Sequence, residues 1–508
     1  MTEPATASLP APRRAENDAG TTLSPKLALG LLALWLLLTI GLRPLLVPDE
    51  GRYGSVARDM LASGDWIVPR LDGLPFFHKP PLMYWLDAAA MAVFGVNPFA
   101  ARIAPAIGAW VMGAALFLAM RRWHGPRVAQ TGLLVLASAP FFFLSGQYVN
   151  HDMLVAGLIS VAVLAFAQAA EGEQGSRRAW QLGWIACALA LLSKGLIGFV
   201  LPLMIVGPWV LAQRRWRAVG QALHLWSWLP GLIIAAPWFV AMQWRFPEFF
   251  DYFVIEQHFR RFTQTGFNNG QPFWFYWVVL PLTTVPWFLA APRALRRAWL
   301  ERDRWIGLYA WWALVVLLFF SMPNSKLVGY VLPALAPWCA LIACRMDLSW
   351  RWQRAGAFVG AVISLAVIVV LVVRTPHSTR DAAQLLASRL QPGDSVVYME
   401  EMYYDFAFYA RAPTPVKVLS DWADPAIAQH DNWRKELADA ARFDPAMAQQ
   451  VLWPIGRLDA LLCTPGHSVW FVSGKDYANP ALERLPGLQT VHRDALVKLQ
   501  LAPGRACP

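Results

Sequence analysis

The chain has 508 residues, of which 57% are hydrophobic and only 15% charged, whereas a soluble domain is about one-quarter charged. That composition excludes an ordinary soluble enzyme and points to a polytopic α-helical membrane protein. In a soluble chain the formal net charge of +11 would suggest a nucleic-acid partner, but here the cations fall mostly between apolar runs, so topology accounts for them and no nucleic acid is expected.

Residues 1–26 are polar, with Arg13, Arg14 and Lys26 ahead of the first apolar run, and read as a cytoplasmic tail. No small-residue cleavage site follows that run, so it is expected to be an uncleaved first helix, not a removed signal peptide. Apolar runs then occupy 27–47, 100–120, 127–146, 152–170, 179–193, 196–213, 225–243, 272–291, 305–322, 327–344 and 355–373. By length they predict about eleven spans, with a tight polar turn at Ser193-Lys194-Gly195. A cytoplasmic N-terminus puts the Arg-rich connections inside, from Arg121-Arg122 to Arg345…Arg354. The connections QYVNHDM and PNSKL, with at most one cation each, fall outside, as the positive-inside rule requires. The 27 Trp residues suit interfacial belts.

Two outer loops, 48–99 and 244–271, depart from simple hairpins. In the first, Tyr53 to Leu61 and Leu82 to Phe94 read as short amphipathic helices lying on the membrane. In the second, FPEFFDYFVIEQHFRRF (246–262) reads as another interfacial segment, and GFNNGQ (266–271) as a mobile loop. Residues 27–374 thus form a membrane domain. From 375 to 508 the composition turns soluble: SVVYM (395–399) and SVWFVSG (468–474) predict strands, and Asp381 to Leu390 a helix. An odd number of spans places this small α/β domain outside. Cys463 and Cys507 could pair there; Cys187, Cys339 and Cys344 lie in apolar spans, and no CxxC motif argues for a redox or metal site.

The outer polar residues are few: Asp49, Glu50, Arg52, Tyr53, His78, Lys79, His151, Asp152, Lys194, Glu256, His258, Arg260, Arg261 and Lys326. Each lies within a few residues of a span end, so helices ending together could assemble them into one cavity. Carboxylates at a membrane face are costly unless paired, which marks Asp49 and Glu50 for function. Asp49 is a candidate general base; the competing reading is an acid that caps the next helix. Lys79, Arg52, Lys194, Arg260 and Lys326 are candidates for holding a phosphate leaving group, against ordinary lipid-headgroup contact. His78, His151 and His258, with Asp49 and Asp152, could bind a divalent metal, although their spacing carries no ligand signature.

PDEGRYGSVARDML, followed by SGDWIVPRLDGLPFFHKPPLMYW, resembles the opening extracytoplasmic loop of the lipid A aminoarabinose transferases. These belong to the protein O-mannosyltransferase-like group of GT-C glycosyltransferases. The likeness continues through QYVNHDMLVAGL, LLSKGLIGFVLPL, IEQHFRRF, QPFWFYW, NSKLVGYVLPALAP and the tail segment DSVVYMEEMYYDFAFYARAPTPVKVL. It implies a GT-C membrane domain of about eleven to thirteen helices in the bacterial inner membrane. The implied reaction is inverting transfer of a sugar, aminoarabinose or a relative, from a polyprenyl phosphate to lipid A or another envelope acceptor. The resemblance places the family's motif residues on Asp49, Arg52, Tyr53, Lys79, Asp152 and Lys194. With the residue reading, Asp49, Glu50 and Asp152 are the catalytic candidates, and Lys79, with Arg52, Lys194, Arg260 or Lys326, is expected to hold the donor phosphate. Tyr53, His78, Tyr84, His151, Glu256, His258 and Tyr330 shape the cavity, and His78 and His258 are the candidate metal ligands. The chain departs from the family's E-K-P-P motif at His78, which stands where the family has an acid. Rival readings keep the chemistry but make a protein the acceptor, or make the chain a lipid flippase or a non-catalytic envelope-binding protein. A flippase would predict inverted repeats and midplane charges; no internal repeat is evident, and the acids cluster at one face.

Overall fold

The computed structural model describes residues 22–172, 176–260, 269–300, 303–346, 348–374, 377–412, 415–429 and 432–506, apart from the side chains of 258–260 and 297–300. Every apolar run contains a helix, but the runs are not all single spanning rods. Among the described residues six helices are long and apolar enough to cross a membrane: Ala100–His124, His151–Glu171, Leu225–Arg245, Arg304–Ser321, Val328–Arg345 and Trp350–Arg374. A seventh arises if Phe275–Leu282 and Trp287–Arg296, bent by 107°, count as one span. Proline explains two of the departures, because it removes a helical N–H and disfavours helix in the residue before it. Run 127–146 divides into Pro126–Ser138 and Pro140–Ser145, and Pro286 precedes the second arm of the bent pair.

The first run yields only a short helix, α1 (Pro25–Leu37), capped by the Ser24 side chain. The chain then leaves helical geometry, and Arg43, inside the apolar run, turns toward Glu50. Helix α2 (Asp49–Ser63) starts earlier than expected and does not lie on a membrane surface: Glu50, Gly51 and every residue from Tyr53 to Met60 are buried. A two-stranded hairpin follows, β1 (Arg70–Leu71) and β2 (Leu74–Pro75). Its turn residues Asp72 and Gly73 have φ of 52° and 80°, the left-handed pair that a tight hairpin needs. Helix α3 (Leu82–Phe94) matches its expected bounds. The segment expected to be interfacial contains π-helical turns over Asp251–Arg260. Most of the GFNNGQ loop lies outside the described residues.

The C-terminal domain carries a six-stranded sheet of order β5-β4-β3-β6-β8-β7. Strands β3 (Ser395–Met399), β4 (Lys417–Ser420), β5 (Leu452–Pro454) and β6 (Ser468–Gly474) are parallel. Strand β8 (Val497–Pro503) runs antiparallel to β6, with Trp470 opposite Leu501, and β7 (Gln489–Arg493) pairs antiparallel with β8 at the edge. The two expected strands and the helix, here Arg380–Arg389, are present. Cys463 is disulfide-bonded, while Cys507 lies outside the described residues. Cys187, Cys339 and Cys344 are free thiols.

This domain sits on α2. Gly51, Ser55 and Arg58 form one helical stripe at i, i+4 and i+7. Ser55 donates to the Tyr404 carbonyl at 2.6 Å and Arg58 to the Ala412 carbonyl at 2.9 Å. At Gly51 a Cβ would fall 2.6 Å from the backbone nitrogen of Asp405, so only glycine permits this approach. The glycine of the DEGRY stretch is therefore a docking residue.

Candidate active site

The first turn of α2 sorts its side chains by face. Glu50 is fully buried. Arg43 and Arg102 donate to its oxygens at 3.0 and 2.9 Å, and the backbone amides of Leu46 and Val149 each donate at 3.0 Å. Burial alone would raise the Glu50 pKa, but Arg102 and Arg43 outweigh it and hold the carboxyl down at about 2. With its oxygens so occupied, Glu50 is anchored in the interior, whereas the sequence reading grouped it with Asp49 at the site; Asp49 lines the polar cavity and Glu50 is not among its lining residues. Arg43 and Arg102 were both passed over, although a cation within an apolar run was a usable signal.

Asp49, Arg52 and Tyr53 turn the other way, into a cavity of about 590 Å3. Arg52 donates to Asp49 Oδ1 at 2.5 Å. The second oxygen, Oδ2, receives a long contact of 3.4 Å from the Asn150 amide. Asn150 also caps the helix His151–Glu171 by accepting from the Asp152 backbone amide at 3.0 Å, so one residue holds both acids in register. Asp152 pairs with Lys194. Lys194 ends the helix Arg177–Lys194, where Gly195 takes φ of 89° and turns the chain; the expected tight turn is present. The Lys194 ammonium lies 4.3 Å from the Tyr330 ring centroid, a cation–π distance. Gly329 makes room beside it: a Cβ there would fall 2.1 Å from Asp152 Oδ2.

His78 and Lys79, at the end of the β-hairpin segment, complete the cavity wall. The Lys79 ammonium donates to the His78 carbonyl at 3.1 Å. His78 Nδ1 lies 3.5 Å from Glu436 Oε1. Glu436 belongs to the helix Trp433–Ala441 of the C-terminal domain, so a carboxylate does reach position 78, but from the far end of the chain. Glu401, Met402, Tyr403, Tyr404 and Trp433 of the same domain also line the cavity. Sequence reasoning missed all of them.

Other expected site residues are placed elsewhere. His151 is fully buried; its Nδ1 donates to the Ser193 carbonyl at 2.6 Å, and Tyr84 contacts Nε2 at 3.3 Å. With Tyr53 packed edge-on at 4.9 Å, these two form a support beneath the cavity. Lys326 is buried, and its ammonium donates to the carbonyls of Gln271 and Pro323, which ties down a loop. Glu256 lies 3.9 Å from Arg442 of the C-terminal domain and does not line the cavity. The side chains of His258 and Arg260, and Arg261 as a whole, lie outside the described residues. Among the described residues no group of three or more His, Cys, Asp or Glu is arranged to hold a metal ion.

Two apolar grooves open from the polar cavity. One, of about 380 Å3, shares His78, Lys79, Asp152, Lys194 and Tyr330 with it and continues along Val155, Ile159, Ile197, Phe319 and Phe320. The other, of about 500 Å3, shares Asp49, Asn150 and Asp152 and runs toward Tyr148, Val367 and Leu371. Such a site, with cations and acids where two apolar channels meet, suits chemistry between two lipid-borne groups.

The fold matches the crystal structure of ArnT from Cupriavidus metallidurans bound to undecaprenyl phosphate, with a TM-score of 0.80 and 24% identity, covering 95% of this chain and 99% of that one. This chain is thus a multi-pass membrane protein of the GT-C glycosyltransferase fold. The family model described as dolichyl-phosphate-mannose-protein mannosyltransferase matches residues 78–241. The undecaprenyl phosphate-α-4-amino-4-deoxy-L-arabinose arabinosyl transferase of Pseudomonas aeruginosa is 32% identical over 86% of this chain and 75% of its own length. Arabinosyl transferase 2 of Sodalis glossinidius is 36% identical over 62% of this chain, which there spans only 58% of the relative. The chain belongs to the family of undecaprenyl phosphate-aminoarabinose arabinosyl transferases.

Proposed function

We propose that the protein transfers a sugar, aminoarabinose or a close relative, from a polyprenyl phosphate to lipid A or another envelope acceptor at the periplasmic face of the inner membrane. The N-terminus would then be cytoplasmic and the C-terminal domain periplasmic. The observation that carries this reading is the junction of the 590 Å3 cavity with the 380 Å3 groove, where Lys79 and Lys194 stand beside Asp49 and Asp152.

In this reading the polyprenyl chain lies in the groove lined by Ile159, Ile197 and Phe319, and its phosphate sits at the junction. Lys79, Lys194 and Arg52 stabilise the negative charge that grows on that phosphate as the glycosidic bond breaks. The acceptor enters from the Asp49 side along the second groove. Asp49 Oδ2 takes or orients the acceptor's proton as its oxygen attacks the anomeric carbon from the face opposite the phosphate. The configuration inverts, and the proton ends on Asp49 or on solvent. Asp152 and Lys194 neutralise each other until the donor phosphate arrives. Mass spectrometry of lipid A from cells with the intact gene, without it, and with Asp49→Asn tests the reading. A glycosyl increment confined to the intact gene is expected. An unchanged lipid A profile would move the acceptor elsewhere, and an increment surviving Asp49→Asn would remove Asp49 from the mechanism.

A further inference from the structure

Arg52 is strung between two carboxylates that lie on different domains. One arm, Nη2, donates to Asp49 Oδ1 at 2.5 Å; the other, Nη1, donates to Glu436 Oε1 and Oε2 at 3.2 and 3.1 Å. Glu436 is only 5% exposed. The Tyr404 hydroxyl donates to its Oε2 at 2.6 Å, and burial beside Glu436 keeps that phenol well above its ordinary pKa, hence protonated. Asn432 caps the helix that carries Glu436 through the amides of Arg434 and Lys435. The carboxylate is therefore fixed from its own domain before it meets Arg52.

A buried carboxylate costs several kcal/mol unless its partners compensate, so its placement against a cavity-lining arginine calls for a role. A guanidinium and a carboxylate prefer a two-pronged, parallel pairing. With Glu436 present, the fork of Arg52 is divided, and it reaches Asp49 through one nitrogen at one oxygen. Without Glu436, only the Tyr53 and Tyr404 rings, 5.1 and 5.5 Å from the guanidinium, remain to hold the fork; neither carries a negative charge, so both prongs would settle on the one remaining carboxylate, Asp49. That would cover Oδ2, the oxygen the proposed reaction requires.

We propose that Glu436 is a positioning residue for sugar transfer: it holds Arg52 in the orientation that keeps the guanidinium off Asp49 Oδ2, the oxygen that receives the long contact from Asn150, and this makes the C-terminal domain part of the catalytic unit. This inference rests on the assignment of Asp49 as the proton-accepting group. It also accounts for His78, whose Nδ1 lies 3.5 Å from the same carboxylate, on the wall next to Lys79.

The test is a double-mutant cycle in the full-length protein, with undecaprenyl-phosphate-linked aminoarabinose as donor and purified lipid A as acceptor. The variants are Glu436→Ala, Glu436→Gln, Arg52→Ala and Arg52→Ala/Glu436→Ala. Loss of orientation at a reacting group costs on the order of 10- to 100-fold, so kcat of Glu436→Ala should fall by about that much while the donor KM changes little. Glu436→Gln retains an acceptor for Arg52 and should recover much of the loss. Because Glu436 acts through Arg52, the double variant should be no slower than Arg52→Ala alone. A Glu436→Ala enzyme within about twofold of wild type, or losses that multiply in the double variant, would overturn the proposal. If Glu436→Ala fails to fold, as judged by gel filtration and thermal unfolding, Glu436→Gln carries the test: in the Arg52→Ala background it must have no effect. Absence of transfer by the wild-type protein would overturn the proposed donor and acceptor, and transfer that survives Asp49→Asn would overturn the assignment of Asp49 and this inference together. Wild-type transfer that ignores Glu436 would overturn this inference alone.

Discussion

Asp49 and Glu50 are consecutive in the chain and face different surroundings: Asp49 opens onto the polar cavity, and Glu50 is locked between Arg43 and Arg102 in the interior. The difference follows from helix geometry, since neighbouring residues on a helix point about 100° apart. Their substitutions should separate cleanly. Asp49→Asn should fold normally and lose about 10²- to 10⁴-fold in transfer rate, the usual worth of a general base. Glu50→Gln leaves two buried cations undercompensated, a change that typically costs about 3–5 kcal/mol. It should appear as a lowered melting temperature and a reduced yield of folded protein. A stable but inactive Glu50→Gln would restore Glu50 to the chemistry.

Lys79 faces both the polar cavity and the donor groove. Removing one preorganised group that stabilises developing charge costs about 10²- to 10³-fold in kcat. Lys79→Ala should lose that much while inserting and purifying like wild type. Near-normal turnover would exclude Lys79 from the leaving-group site.

Gly51 permits the contact between α2 and the C-terminal domain, because a Cβ there would fall 2.6 Å from the Asp405 nitrogen. Overpacking of this kind costs about 1–3 kcal/mol, and here the strain falls on an interface. Gly51→Ala should loosen the domain, so that limited proteolysis near residues 377–412 quickens while the membrane domain stays intact. An unchanged digestion pattern would show that the interface accommodates the methyl group.

The same interface should sense pH. Burial pushes the Asp72 carboxyl up to about 8 and the Asp59 carboxyl up to about 6. Asp72 accepts from the Val416 amide at 2.7 Å, its own amide donates to Asp59 at 3.0 Å, and Arg58 lies 3.9 Å from Asp59. Both folded-state values exceed the ordinary 3.8, so in this window the folded protein binds more protons than the unfolded chain. The contribution of these two carboxyls to stability therefore falls as pH rises from about 4 toward 8 and levels off above that. Thermal unfolding between pH 5 and 8 should show a declining midpoint, and Asp72→Asn should flatten the decline. A midpoint rising across that range would contradict these assignments.

Much of the site was legible because its parts lie in short segments next to span ends. DEGRY, HKPP, NHD and SKG each deliver a polar residue to one face of the bundle, and Asp49, Lys79, Asp152 and Lys194 do converge. Glu436 and Tyr404 were not legible: Arg52 and Glu436 are 384 residues apart, and a contact across that distance leaves no local periodicity. Arg43 and Arg102 did leave a signal, as cations within apolar runs, but those runs were read for length and not for their exceptions. Lys326, a cation at a span end expected to hold phosphate, instead donates to the backbone carbonyls of Gln271 and Pro323 in the structure. Helix lengths were overread where proline divides an apolar run, as before Pro140, and in the first run, whose helix ends at Leu37.

The most direct measurement is a single-turnover assay with purified protein, an undecaprenyl-phosphate-linked aminoarabinose donor and lipid A. Both the glycosylated acceptor and the released undecaprenyl phosphate would be quantified by mass spectrometry. One undecaprenyl phosphate released per sugar transferred, with the anomeric configuration inverted and both products absent in Asp49→Asn, is the expected result. Glycosylated acceptor formed without release of undecaprenyl phosphate, or equal turnover by Asp49→Asn, would contradict the proposed reaction.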